Sequence, residues 1–426
     1  MQSHLPSIAL IALLGAASLA AQPAAKSEAP ASFTDALTQG KVSINARLRY
    51  EFVDQDAVAD AEALTARLRL GYTTRLYKGF QAMIEGEAVT PLINDYFDGT
   101  GTNSAGRAVI ADPEVYNLNQ AWVAYTFEKT KGTLGRQKII LDNARFIGDV
   151  GWRQNDQTFD AFVVQDKSFE KTTLTYAYLD HVNRIFDNET GPAAASSQPD
   201  WDSDSHVINA SYAGFPIGTL TGYAYLLDFN ADGLGTAGAL GASSQTYGLS
   251  LAGTPALTKD IKGTYRLEYA TQSDYGDNPV SYDADYYLAE LGLVAKGNTL
   301  AAGYEVLGSD NGLVGFKTPI ATLHAHNGWA DVFLATPAAG LTDTYVKYGT
   351  TLPGKVNLLA FYHFFGTEEG PSQIGQEFDV MATYKVTKEL SLTAKAAKYW
   401  SDEAVVPGVA SNADRTKFWL QADYTF

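Results

Sequence analysis

Residues 42–52 alternate without a fault: Val42, Ile44, Ala46, Leu48, Tyr50 and Phe52 share one face of an extended chain, and Ser43, Asn45, Arg47, Arg49 and Glu51 share the other. A period of two held over about ten residues belongs to a strand that is wet on one side only. Residues 64–76 repeat it, with Leu68, Leu70 and Tyr72 set against Arg67, Arg69 and Thr73. One such strand would suit any half-buried sheet. Here the pattern recurs near 80–90, 116–128, 133–141, 157–166, 172–180, 204–213, 218–229, 245–253, 260–272, 283–296, 299–307, 342–352, 355–365, 376–386, 389–399 and 415–426, which predicts eighteen strands.

The connections between these strands sort by length. Residues 77–79, 129–132, 297–298, 353–354 and 387–388 form tight turns, whereas 91–115, 182–203, 308–341 and 400–414 are long. A soluble sandwich has no reason to alternate short and long links. A transmembrane barrel does, because its periplasmic turns are short and its extracellular loops long. The predicted fold is therefore all-β: one antiparallel transmembrane barrel over residues 41–426, with no linker inside it.

The N-terminus fits that destination. Leu5 to Ala20 is apolar and closes on Ser18-Leu19-Ala20, a small-x-small cleavage pattern, although the only side-chain cation ahead of it is His4. About sixteen apolar residues fall short of the ~20 that a spanning helix needs. Residues 1–20 are read as a secretory signal peptide and 21–40, rich in Ala and Pro at its start, as a flexible periplasmic lead-in. No later stretch approaches helix-spanning length, and the mean hydropathy is −0.14, which excludes a helical membrane protein. The chain has no Cys, so disulfide and thiolate chemistry are out. A net charge of −17 argues against a nucleic-acid partner.

Aromatic residues gather at predicted strand ends, as at Tyr50, Phe52, Tyr125, Phe127, Tyr176, Tyr178, Tyr384, Tyr399 and Trp400. They are expected to form girdles at the lipid headgroups. The last strand ends on Phe426. This resembles the C-terminal signal of outer-membrane barrels, and implies the barrel-assembly machinery and outer-membrane lipid as partners.

Two stretches carry a more specific resemblance. One runs Gly135-Arg136-Gln137-Lys138-Ile139, Asp142-Asn143-Ala144-Arg145-Phe146-Ile147-Gly148, Gly151-Trp152-Arg153-Gln154-Asn155 and Gln157-Thr158-Phe159-Asp160. The other runs Ala321-Thr322-Leu323-His324, Asn327-Gly328-Trp329-Ala330-Asp331 and Gly340-Leu341-Thr342-Asp343. Together they resemble the alginate-export family of outer-membrane porins. The resemblance implies an eighteen-strand, monomeric barrel whose lumen carries Arg and Lys for an anionic polysaccharide.

The faces opposite the apolar ones should line the lumen. They offer Arg47, Arg49, Arg67, Arg69 and Arg75 on the first two strands, and Lys417 and Lys395 on the last two, with Arg136 and Lys138 as an extension. Inward acids are expected at Glu85, Glu87, Asp160, Glu268, Glu290, Glu305, Glu377 and Asp379. Rings of charge tune which ions enter a pore. Some of these groups are expected to pair across strands, but five arginines on two neighbouring strands exceed what pairing needs. Residues 142–157, with Arg145, Trp152 and Arg153, either fold inward as a constriction or lie outside as a surface loop. Arg136, Arg145 and Arg153 are expected to crowd together there, paired by Asp142, Asp156 or Asp160. The longer connection 308–341, with Trp329 and Asp331, competes for the constriction.

No cofactor is implied. His324 and His326 lack a third metal ligand fixed by spacing. Asp228, Asn230 and Asp232 match the opening half of a calcium loop, but Ala239 stands where its bidentate Glu belongs, so an ordinary turn is the favoured reading. These observations imply a channel for small hydrophilic, anionic solutes or oligosaccharides, with polysaccharide export as the alternative. A barrel enzyme would need a nucleophile or base constellation that the six scattered His do not supply, and an adhesin would need a filled lumen.

Overall fold

The structure, a computed structural model, describes residues 30–100, 106–186, 198–230, 239–370, 372–402 and 413–426. Within them a short helix, α1 (Phe33–Thr38), precedes eighteen long strands. These are β1 (Lys41–Gln55), β2 (Ala61–Thr73), β3 (Phe80–Asp95), β4 (Val115–Phe127), β5 (Thr130–Gln137), β6 (Thr158–Asp166), β7 (Thr172–Asn183), β8 (Asp200–Phe215) and β9 (Gly218–Leu227). The circuit continues through β10 (Ser244–Gly253), β11 (Ile261–Asp274), β12 (Asp283–Ala295), β13 (Asn298–Leu307), β14 (Leu341–Leu352), β15 (Val356–Gly366), β16 (Gln373–Lys385), β17 (Leu390–Ser401) and β18 (Arg415–Thr425). Each pairs antiparallel with its chain neighbours, and β18 pairs with β1 from Asn45↔Thr425 to Gln55↔Arg415. The sheet closes on itself, which is what lets strands sit in a medium that cannot satisfy an open backbone.

Alternation assigns the two faces. Leu48, Leu70, Ile84, Leu134, Leu249, Leu291 and Leu420 are exposed on the outside, an apolar band suited to hydrocarbon. Outward tyrosines turn their hydroxyls to polar groups near the long-loop end, as where Tyr178 donates to Asp204 (2.6 Å) and Tyr269 to Asp285 (3.0 Å). Tyr399 departs from the expected girdle. It is buried on the inward face and donates to the Ile374 carbonyl.

Turns at one end span two to seven residues, and both ends of the barrel chain lie there. The other end carries the longer links, including 96–114, 138–157 and 308–340. β5 is the shortest strand, with eight residues, because the chain leaves the wall after Gln137 and turns inward. The β4–β5 ladder therefore stops at Ala121↔Arg136. The Arg136 guanidinium reaches past it to the Leu118 carbonyl (3.3 Å), capping the β4 edge that β5 leaves bare. Of the segment expected to be a flexible lead-in, residues 33–38 form α1, capped by the Ser32 hydroxyl on the Asp35 N–H.

Candidate functional site

Two connections fold into the lumen and pack on each other: 138–157 between β5 and β6, and 308–340 between β13 and β14. Both had been expected as competing candidates for the constriction, and the structure uses them together. Gly148 N donates to Ile320 O (3.0 Å) and Thr322 N to Ala144 O (3.0 Å). The Gln157 amide donates to Gly148 O (2.8 Å) and Ile320 O (2.9 Å). Trp152 stacks on His324 with ring centroids 4.7 Å apart. Asp142, Ala144, Val150, Asn327 and Asp331 all hold positive φ, and at the β-branched Val150 (φ +50°) that conformation is costly. Strain of this kind persists only where the surroundings over-determine it.

The surroundings are the two charged sides of the wall. Arg47 donates to the carbonyls of Gly151 (3.3 Å), Trp152 (3.0 Å) and Arg153 (3.2 Å). Arg49 donates to Trp152 O, and Arg67 to the carbonyls of Arg153 (3.4 Å) and Gln154 (3.1 Å). Arg69 donates to Gln154 O (2.9 Å) and pairs with Asp156 (2.7 Å). The surplus arginines of β1 and β2 thus hold the backbone of the first inward segment. On β16 the polarity reverses: Glu377 accepts the Ala330 N–H (2.6 Å) and Asp379 the Trp329 N–H (3.1 Å), fixing the second segment. Wall cations take carbonyls and wall anions take amides, so the backbone of each segment meets wall charges of complementary sign.

Asp331 of the second segment ties it to the first segment and to the wall. Its carboxylate meets Lys417 (2.7 Å), Arg153 (2.8 Å) and His324 Nδ1 (2.6 Å). Burial alone would raise its pKa, but His324, Lys417 and Arg153 outweigh burial and hold it well below the usual carboxylate range. Lys395 donates to His324 Nε2 (2.6 Å) and lies over the rings of Trp152 (4.0 Å) and Trp329 (3.7 Å). The network assigns His324 as the neutral Nδ1–H tautomer. Burial, reinforced by Lys395, keeps that ring's pKa well below its ordinary value against the pull of Asp331.

The first segment also reaches the far wall. Asp142 takes a two-pronged bond from Arg266 on β11 (3.0 and 2.9 Å), nine strands from β2 in a ring of eighteen. It therefore crosses the barrel. Arg145 turns instead to Glu305 (2.9 Å) and Asn327 (3.0 Å).

Several expected positions move. Arg145 and Arg153 are 2% and 5% exposed and are spent on internal pairs, so neither rims an opening, and Trp329 is buried beside them. Arg136, Arg145 and Arg153 do not crowd together: their carboxylates are Asp160, Glu305, and Glu51 with Asp331, respectively. Arg136 and Asp160 face outward, on the side of Leu134 and Phe162, which are 63% and 42% exposed. Arg75 lies past the end of β2 and bonds Gln39, away from the arginine wall. Lys138 sits one residue beyond β5 and pairs with Asp156 inside the inward segment. The remaining wall cations, Lys395 and Lys417 among them, face inward. So do Glu85, bonded by Asn119, Glu87 beside Arg69, Glu268 beside Arg266, Glu290 beside Lys347, and Glu305, Glu377 and Asp379. Of the calcium-like turn, Asp228 and Asn230 are placed, and Asn230 bonds Asp204; Asp232 lies outside the described residues.

Other contributors escaped the sequence reading. Glu51 and Arg266 were legible, since each shares a face with residues already chosen. Asp112, which accepts the Gln154 N–H (2.8 Å) and meets Arg49 (3.5 Å), comes from a distant loop and carries no local signal.

A closed eighteen-strand antiparallel barrel of this kind has solved counterparts. The fold is that of the Occ- and Opd-type outer-membrane porins. OccK8 (OprE) of Pseudomonas aeruginosa superposes with a TM-score of 0.70 at 16% identity, over 91% of this chain and 98% of that one. OccAB2 of Acinetobacter baumannii gives 0.67 at 16% over 91% and 98%. OpdK of P. aeruginosa, solved with vanillate, gives 0.65 at 14% over the same shares. No protein-family model and no curated sequence matches the chain.

Proposed function

We propose that this chain is an outer-membrane channel for small hydrophilic, anionic solutes. The observation that carries the reading is the double pinning of residues 138–157, to Arg47, Arg49, Arg67 and Arg69 on one wall and to Arg266 on the other. A segment tied across the diameter restricts passage to small molecules. Inward ion pairs that still meet solvent, Arg47–Asp423, Arg266–Asp142 and Lys347–Glu290, offer guanidinium and ammonium groups whose carboxylate partners a passing anion can replace for a moment. The vanillate bound by OpdK is an aromatic carboxylate, and a solute of that class suits such a site. In this reading residues 1–20 direct export. The last strand, joined to β1 by Ile44 N to Phe426 O (3.1 Å), is offered to the assembly machinery.

Export of an anionic polysaccharide is the second reading. Both stretches that resemble the alginate-export family map onto the inward segments, so that resemblance concerns the constriction. Single-channel recording in planar bilayers tests the proposal. Conductance with an anion-selective reversal potential, reduced by millimolar aromatic monocarboxylates, is expected. Block by oligouronates alone would favour the polysaccharide, and absence of conductance would return the barrel enzyme or adhesin.

A further inference from the structure

Helix α1 has no role in the lumen. Tyr72 stands on the outward face of β2 among Leu68 and Leu70, and its hydroxyl donates to Leu37 O (2.5 Å) and accepts from Gly40 N (2.7 Å). The Arg75 N–H bonds Ala36 O (3.0 Å). The helix is thus tied to the outer side of the short-turn rim, across the β2–β3 turn. Ala36 is buried against the rim, whereas Phe33 and Leu37, one helical turn apart, are 62% and 45% exposed. Phe33 lies 6.2 Å from Tyr77, and Leu76 and Phe80 are exposed beside them, Phe80 packing on the outward Tyr125 at 4.6 Å. Thr34 and Thr38 are the other exposed residues of α1, the half-buried Asp35 accepts from the Gln39 amide (3.1 Å), and the exposed Lys41 and Lys78 flank the helix.

We infer that α1 is an interfacial helix that seats Phe33 and Leu37 in the periplasm-facing leaflet of the membrane and so fixes the chain's entry to the barrel at that surface. The inference rests on the outer-membrane reading above and extends it from the strands to the chain that precedes them. Continuity selects lipid over a protein partner: Phe33 meets Tyr77, Tyr77 pairs with Phe80, and Phe80 packs on Tyr125 of the barrel's outward face, so the helix joins the apolar band through an unbroken chain of aromatic contacts. The arrangement matches how amphipathic helices lie at a bilayer, apolar face down and cations at headgroup level. It is short, but the Tyr72 and Arg75 bonds hold it in place, so it does not have to find the bilayer unaided.

The chain has no cysteine, so one introduced thiol gives a single nitroxide. Phe33→Cys, Leu37→Cys, Thr34→Cys and Thr38→Cys would be labelled in the mature chain and reconstituted in phosphatidylethanolamine–phosphatidylglycerol vesicles, with Leu70→Cys on the wall as reference. Collision with oxygen, which concentrates in hydrocarbon, is compared with collision with a water-confined nickel chelate. Positions 33 and 37 are expected to favour oxygen, as Leu70 does, and positions 34 and 38 to favour nickel. Nickel preference at all four helix positions with Leu70 still in lipid would overturn the inference alone. Nickel preference at Leu70 as well would overturn the membrane reading beneath it. Folding of each variant is checked by heat-modifiable gel mobility, and the conservative Phe33→Trp, read by brominated-lipid quenching against the parent chain, repeats the test without a label.

Discussion

Arg47 and Arg67 stand directly opposite each other on β1 and β2. Like charges in register normally destabilise a strand pair. Here both guanidiniums point at the same loop, and the Arg153 carbonyl accepts from each, at 3.2 and 3.4 Å. Asp423 takes the Arg47 Nε–H at 2.7 Å, and Asn45 the Arg67 Nη2–H at 2.5 Å. The pair is tolerated because the inward segment supplies the negative ends of its peptide dipoles.

That shared acceptor gives a double-mutant prediction. Arg67→Gln alone leaves the Gln154 carbonyl with Arg69 and the Arg153 carbonyl with Arg47, so the cost should be near 1 kcal/mol. Changing Arg47 as well orphans the Arg153 carbonyl, adding about 1–3 kcal/mol beyond the sum of the singles. Noise and mean current in single-channel records should rise sharply only in the double variant. Additive behaviour would mean that the two side chains hold the loop independently.

Asp331 is the group whose loss should cost most. Asp331→Asn leaves Arg153 and Lys417 buried with Glu51 as their remaining carboxylate, at 3.4 and 3.6 Å. Removing one partner of a buried ionic network costs about 3–5 kcal/mol. The temperature of the heat-modifiable gel shift should fall well below that of Glu290→Gln, which breaks a pair in contact with solvent. Equal shifts would show that the network is not the main tie between the segments.

Acid should loosen the second segment. His326 is depressed to about 3, first by burial and then by Arg145, and its Nε2 is buried without a hydrogen bond. His324 is depressed too. The sign follows: both rings are neutral when folded and would charge near 6.5 when freed, so their contribution to stability is complete above about 6.5 and falls as pH drops toward about 3. For His326 the slope is at most about 1.4 kcal/mol per unit, reduced because the residue is only half-buried. Conductance should therefore increase between pH 6 and pH 4, and His324→Gln/His326→Gln should flatten that rise. A rise of undiminished size in the double variant would assign the effect to the wall carboxylates.

Arg136→Ala separates the outer face from the lumen. The residue pairs with Asp160 on the outside (2.7 and 2.8 Å) and caps the β4 edge. Its removal should lower stability by about 1–2 kcal/mol while leaving conductance and ion selectivity at the parent values. A changed reversal potential would place the side chain in the pore after all.

Much of the barrel was readable because alternation is a local property. The eighteen predicted strands all occur, and their ends differ mostly where a strand lengthens, as for β8, or where the chain leaves the wall, as at Gln137. The surplus of arginine on β1 and β2 was equally visible, and it did signal an unmet partner. What filled that need was the backbone of residues 151–154, and no side-chain pattern announces a carbonyl.

The sequence by itself determined the period, and through it the barrel, the short and long ends, and the face carried by most strands. Only the tertiary structure decided where the charges spend themselves. Arg136 shares its face with Leu134, which places it outside, yet Lys138, of the same parity, turns inward because β5 ends between them. Asp112 and Asp331 reach their arginines across loops far apart in the chain. Alternation fixes which residues share a side, since it depends on neighbours two apart. Which loop enters the lumen depends on closure, which brings β1, β11 and β16 around the same two segments and lets their charges choose backbone donors or acceptors.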